Sequence, residues 1–189
     1  HSSTKYLGGH SDLIGGALMT SDASLAEQLR FIQFAGGAVN APQECFLLLR
    51  SIKTLALRMR KHNENAIKVA EALAGMKRFK SVVFPGLASH PQHALAKRQM
   101  SGYAGMVSAR LDGSFDDVKM FCSRLRVFAL AESLGGVESL INHPETMTHA
   151  SVPPDHRVKI GITHDLVRFS VGIEDADDLV ADIHQAVAF

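Results

Sequence analysis

Lys5 stands in the run His1-Ser2-Ser3-Thr4-Lys5-Tyr6-Leu7-Gly8-Gly9-His10-Ser11-Asp12, with hydroxyls on one side of the amine and glycines on the other. A primary amine condenses with an aldehyde to an imine, so a lysine in such a frame can tether a carbonyl compound covalently. Ser2 and Thr4 add O–H donors of the kind a phosphate accepts from. A second chemical group lies far along the chain. Arg168 sits between Val167 and Phe169 in an apolar run, and period-2 alternation puts it on one strand face with Leu166 and Ser170. A planar guanidinium grips a carboxylate through two parallel hydrogen bonds, which an ammonium cannot reproduce. From composition alone, a solvated edge charge is the commoner fate of such an arginine.

Other reactive residue types point nowhere. Of ten histidines, His90 pairs with His93 in a proline-flanked loop and His143, His149 and His156 form a loose trio. With no Cys-x-x-Cys and no helical His-Glu-x-x-His, structural or solvent-facing roles are expected, and no metal. Cys45, against Phe46-Leu47-Leu48-Leu49 on a helix, is expected to be a buried apolar residue rather than a nucleophile.

The elements that position these groups follow from periodicity. Ala17-Leu18-Met19 reads as a strand. Ser21-Asp22 signals a helix start, Leu25, Leu29 and Ile32 recur at helical spacing, and Gly36-Gly37 stops it. Pro42 suits a first helical turn, and Phe46, Leu49, Ile52, Leu55, Ala56 and Met59 extend an apolar face to about Leu73, as one long helix. Strands are predicted over 81–84, 106–111 and 166–171, with an extended piece at 127–129. Helices are predicted over 91–98, 116–125 and 175–187. Strand-helix alternation on a sheet that can be antiparallel argues an α/β to α+β fold.

The 189 residues, 46% of them hydrophobic, suffice for a sizeable core and one or two domains. A net charge of +1 provides no field for nucleic acid, and the Arg58–His62 cluster reads as a solvated helix face. Two cysteines build no disulfide framework, and no run approaches the roughly 18 apolar residues that span a bilayer. A cytoplasmic protein is expected, without nucleic-acid or membrane partners.

The Lys5 run resembles the lysine segment of the Cys/Met-metabolism family of pyridoxal-phosphate (PLP) enzymes, Ser-x-Thr-Lys-Tyr-x-x-Gly-His-Ser-Asp, at every fixed position. Further blocks are similar to it in family order. They are Gly36–Val39 with Pro42, Arg50–Leu55 with Arg58-Met59, Pro85–Leu87 with Ser89–His93, Leu130–Gly136, Met147–Ala150 and Arg168–Asp175. Ser51 departs from the family's usual glycine. The resemblance implies the C-terminal part of an aspartate-aminotransferase-like, PLP-dependent transferase fold. Residues 1–60 would be the end of the large cofactor-binding domain with a bridging helix, and 61–189 a smaller α/β domain of α+β character. The N-terminal half would be missing. It further implies that Lys5 anchors PLP and then acts as base, that Ser2 and Thr4 bind its phosphate, and that Arg168 holds the substrate α-carboxylate. Glu132 would help choose the substrate at the site's mouth, and Ser133 would lie near the lysine. The implied reaction is that of a cystathionine γ-synthase, joining O-succinylhomoserine or another O-acylhomoserine to cysteine in methionine biosynthesis, in a homotetramer. The alternatives are γ-lyase or β-lyase cleavage and, of another class, a catalytically silent assembly module.

Overall fold

The computed structural model describes residues 1–189, which divide into two compact units, His1–Leu55 and Ala56–Phe189. In the first, Ser3–Leu7 forms a π-type turn, and helices α1 (Ala23–Gly36) and α2 (Pro42–Ile52) follow. The Asp22 side chain accepts from the Leu25 amide at 3.0 Å and Gly37 closes α1 in the left-handed region, as the start and stop signals predict.

Three expectations fail here. Ala17–Met19 is not a strand: a single antiparallel bridge joins Ser2 to Gly16, flanked by Ser3 N–H donating to Gly15 O at 2.9 Å and Ala17 N–H donating to His1 O at 2.8 Å. The long helix from Pro42 is two helices. Thr54 spends its backbone N–H (3.1 Å) and its hydroxyl (3.0 Å) on the Ser51 carbonyl, ending α2, and α3 begins at Leu55 and runs to Gly75. The apolar stripes of α1 and α2 exist but face outward: Phe31, Phe34, Phe46 and Leu49 are 71, 85, 61 and 67% exposed. Cys45 is exposed with them rather than buried.

The second unit is a five-stranded sheet in the order β1-β2-β5-β4-β3. The strands are β1 (Phe79–Val83), β2 (Met106–Leu111), β3 (Ala129–Leu130), β4 (Leu140–Asn142) and β5 (Leu166–Ser170). All neighbours are antiparallel except β3 beside β4. Helices α4 (His93–Gln99), α5 (Phe115–Arg124), α6 (Pro154–Lys159) and α7 (Ala176–Ala186) complete it, β4 and α6 being unforeseen. Val107, Ala109, Leu111, Val167 and Phe169 alternate onto one sheet face. Ala66, Val69, Ala70 and Leu73 of α3, Val118 and Phe121 of α5, and Leu179, Ile183 and Ala186 of α7 join them in a single core. Phe169 meets Phe121 and Phe128 edge-on, with ring centroids 6.3 and 5.3 Å apart. With that face committed to the core, the alternate residues of β5, Arg168 among them, must point to the opposite face.

Buried polar groups tie the loops to this frame. The Asp182 carboxylate accepts from the amides of Arg126 (2.8 Å), Val127 (2.8 Å) and Phe128 (3.0 Å), fixing the chain that enters β3 and then Glu132. Asp182→Ala strips three amides of their acceptor at once, at about 1–3 kcal/mol for each buried group left unsatisfied. Hydrogen exchange at these three amides is expected to quicken by about a hundredfold, and unchanged protection would show that the carboxylate does not hold the loop.

Candidate active site

Lys5 lies inside the tight turn, with non-helical φ −91° and ψ −130° and a half-buried side chain. The turn is pinned by its backbone: Gly8 N–H donates to Ser3 O at 2.8 Å and Gly9 N–H to Lys5 O at 2.7 Å. Its glycine partner is obligatory. A Cβ on Gly15 would stand 2.7 Å from Ser3 Oγ and 2.8 Å from the Asn40 amide nitrogen, so only glycine lets this segment lie against the turn. The Gly15 N–H donates to Thr4 Oγ1 at 3.0 Å, while the hydroxyl's own proton reaches Gly15 O only at a long 3.4 Å. That long contact leaves the proton available to a better acceptor. Ser2 is exposed at the start of the turn. His10 Nδ1 donates to Gly8 O at 2.8 Å, with Ser51 Oγ 3.4 Å from the same nitrogen, so the serine at the departing position packs against the lysine segment.

Arg168 occupies the central strand of the sheet, opposite Ser108 on β2 and Asn142 on β4. The solvated edge charge that composition favours is thereby excluded. Burial pushes the guanidinium's pKa down from its ordinary value, and the negative charge of Glu132 opposes that shift. Glu132 is itself exposed, and Ser133 beside it holds φ 113°. A non-glycine residue in that region stores on the order of 1–3 kcal/mol, and it persists only where its surroundings dictate it. They do so here. Gly135 N–H donates to Ser170 Oγ at 2.9 Å. Ser139 N–H and Oγ donate to the Glu174 carboxylate at 2.6 and 2.8 Å, and Gly172 N–H donates to Ser139 Oγ at 2.8 Å. A Cβ on Gly172 would fall 2.3 Å from Val137 O, so the 133–139 loop can lie on the end of β5 only over a glycine. The Arg58–His62 cluster is not the solvated face expected of it, since Arg58 and His62 are both buried: from α3, His62 Nδ1–H donates to Val171 O at 2.7 Å and Asn65 Nδ2 to Gly172 O and Glu174 O at 3.0 and 2.8 Å.

The second unit thus brings together Arg168, Glu132 and Ser133, and the first holds Lys5, Ser2 and Thr4 within four residues. Sequence reasoning missed Asn142, Ser139 and Glu174, whose importance lies in pairings 26 to 35 residues away along the chain that no local pattern displays. The histidines have local partners: His93 Nδ1 donates to Pro85 O at 2.8 Å, His90 Nδ1 accepts from Gln92 N–H at 3.2 Å, and His143 lies between Thr146 Oγ1 and His164 O at 2.8 and 2.9 Å. No three metal-binding side chains converge, and no helix is long and apolar enough to cross a membrane.

The donor set at Lys5 suits a phosphorylated aldehyde: a primary amine for the carbonyl, an exposed Ser2 hydroxyl, and a Thr4 hydroxyl oriented by Gly15 N–H with its proton to spare. Comparison with known proteins points to the same class of cofactor. The family model described as "Cys/Met metabolism PLP-dependent enzyme" matches residues 1–188. A cystathionine gamma-lyase of Dictyostelium discoideum is 52% identical over 187 residues, which are 99% of this chain and 48% of the relative. A cystathionine gamma-synthase of Mycobacterium bovis is also 52% identical over 187 residues, 99% of this chain and 47% of that protein. The crystal structure of cystathionine gamma synthase from Xanthomonas oryzae pv. oryzae, in complex with aminoacrylate and cysteine, superposes with a TM-score of 0.96 at 48% identity, over 100% of this chain and 49% of that one. This chain therefore spans about half the length of the relatives it matches, and its mixed α/β architecture is part of an aspartate-aminotransferase-like fold.

Proposed function

This chain belongs to the Cys/Met metabolism PLP-dependent enzymes, and we propose that it supplies the lysine anchor and the substrate-carboxylate site of a cystathionine γ-synthase. The observation that carries this reading is Arg168, a partly desolvated guanidinium on the non-core face of a central strand, in a chain whose Lys5 is framed for a phosphorylated aldehyde. PLP, when bound, acts as an electron sink for charge developing on the substrate's α-carbon. Lys5 would hold the cofactor through its amine and, as the base, would move protons at the substrate's α and β carbons. Ser2 and Thr4 hold the phosphate. Arg168 fixes the α-carboxylate, and Glu132 and Ser133 border the side chain that reacts. In γ-replacement the bond from the γ-carbon to the acyl oxygen breaks and succinate, or another carboxylate, departs. The cysteine sulfur bonds to that carbon after losing its proton, and cystathionine results.

The preference for condensation over cleavage rests on the run Gly136-Val137-Glu138-Ser139-Leu140-Ile141, which has a bacterial look. A γ-lyase relative is as similar as a γ-synthase, so rates must decide. With O-succinylhomoserine and cysteine, the full-length enzyme is expected to form cystathionine faster than it releases 2-oxobutanoate and ammonia. Efficient cleavage of cystathionine with negligible condensation would make it a lyase. A preparation that binds no PLP and stays colourless would make it an assembly module. The same reading places it in the cytoplasm, consistent with two free cysteines. It also makes it a homotetramer, supported by the large apolar side chains that α1 and α2 leave exposed.

A further inference from the structure

Asn142 is 2% exposed on β4, directly opposite Arg168 in the antiparallel β4–β5 register. With its amide turned so that the oxygen faces the guanidinium, Oδ1 accepts from Arg168 Nη2 at 2.7 Å and from Nε at 3.1 Å. A guanidinium has five N–H donors in a rigid plane. One oxygen bridging Nε–H and the neighbouring Nη2–H consumes the side edge of the fork. The end edge, formed by Nη1–H and the second Nη2–H, stays open, and it is the other edge able to make two parallel bonds to a carboxylate.

We propose that Asn142 is the positioning residue of the carboxylate grip, locking the Arg168 side edge so that only the end edge meets the α-carboxylate of an amino-acid substrate. The proposal rests on the reading of Arg168 as the carboxylate anchor. The choice of an amide over a carboxylate has its own logic. An aspartate in this place would orient the guanidinium equally well but would neutralise the charge the substrate needs. A neutral acceptor orients the fork and leaves its full positive charge for the ligand. The β4–β5 pairing supplies the rigidity, since both residues hang from hydrogen-bonded strands rather than from a loop.

L-Alanine and ethylamine differ only by the carboxylate, and neither has a group to expel. The ratio of their dissociation constants, ethylamine over alanine, therefore measures the grip, and calorimetric titration of the cofactor-loaded full-length enzyme gives it. Asn142→Ala is expected to shrink this ratio about tenfold by freeing the fork, with ethylamine affinity unchanged. Asn142→Asp, nearly isosteric and so the safer variant to fold, is expected to shrink it by about a hundredfold through charge cancellation. Arg168→Ala is the companion measurement. If it collapses the ratio while both Asn142 variants leave the ratio intact, Asn142 does not position the grip and the anchor reading stands. If both Asn142 variants weaken alanine and ethylamine alike, the residue is merely structural and the proposal is equally overturned. If Arg168→Ala leaves the ratio intact, the anchor reading fails and takes this inference with it.

Discussion

Lys5→Ala in the cofactor-loaded full-length enzyme is expected to lower turnover by at least about 10²–10⁴-fold, the range lost with a positioned acid–base group alone. Losing the covalent tether comes on top of that. The fold should survive, because the turn around Lys5 is held by main-chain bonds, Gly8 N–H to Ser3 O and Gly9 N–H to Lys5 O, that alanine leaves intact. Circular dichroism of the variant should therefore overlay the parent. The same assignment has a chemical readout independent of rate. Borohydride reduction of the parent enzyme should fix a pyridoxyl group on Lys5, located by peptide mass spectrometry, and the variant should carry none. A label on Lys53, Lys61 or any other lysine would remove the basis for every role given to residues 2–5.

How far such assignments could be read from the sequence depended on whether the deciding interaction was local. Asp22 capping α1 and Gly37 closing it are events within a few residues, and both were legible. So was the period-2 pattern of β2 and β5, which put Arg168 on the face away from Phe169. The break between α2 and α3 was not, since hydropathy runs unbroken from Phe46 to Met59 while a Thr54 hydroxyl takes the Ser51 carbonyl. Periodicity also cannot say what covers a face. The stripes through Phe31 and Phe46 have correct helical spacing and are nevertheless exposed in this chain. For the same reason Cys45, expected inside, is outside. At the site, the chemical residues announced themselves by type. The groups that hold them did not: Ser139, Asn142 and Gly172 gain their meaning from strand register and from a loop laid across the end of β5. An asparagine three residues into an apolar run carries no signal until the arginine opposite it is known.

That dependence on register sharpens the expectation for Arg168 itself. Arg168→Ala is expected to lower kcat/KM for amino-acid substrates by about 30-fold to several thousandfold, corresponding to about 2–5 kcal/mol for one partner of a buried charge pair. Partial burial of the guanidinium in the central strand limits the water available to replace the lost bonds. Arg168→Lys should recover little. An ammonium could keep the charge, but it has no side edge for Asn142 and no paired donors for the carboxylate, so the charge would be present without an orientation. Glu132 makes the alanine variant worse in a predictable way. Its carboxylate attracts the Arg168 cation in the parent and would, with that cation gone, repel the substrate's own negative charge. Glu132→Gln placed on Arg168→Ala should therefore regain part of the lost affinity for L-alanine while leaving ethylamine no tighter. Near-normal kcat/KM in Arg168→Ala would rule out the anchor, and an unaltered double variant would rule out the repulsion.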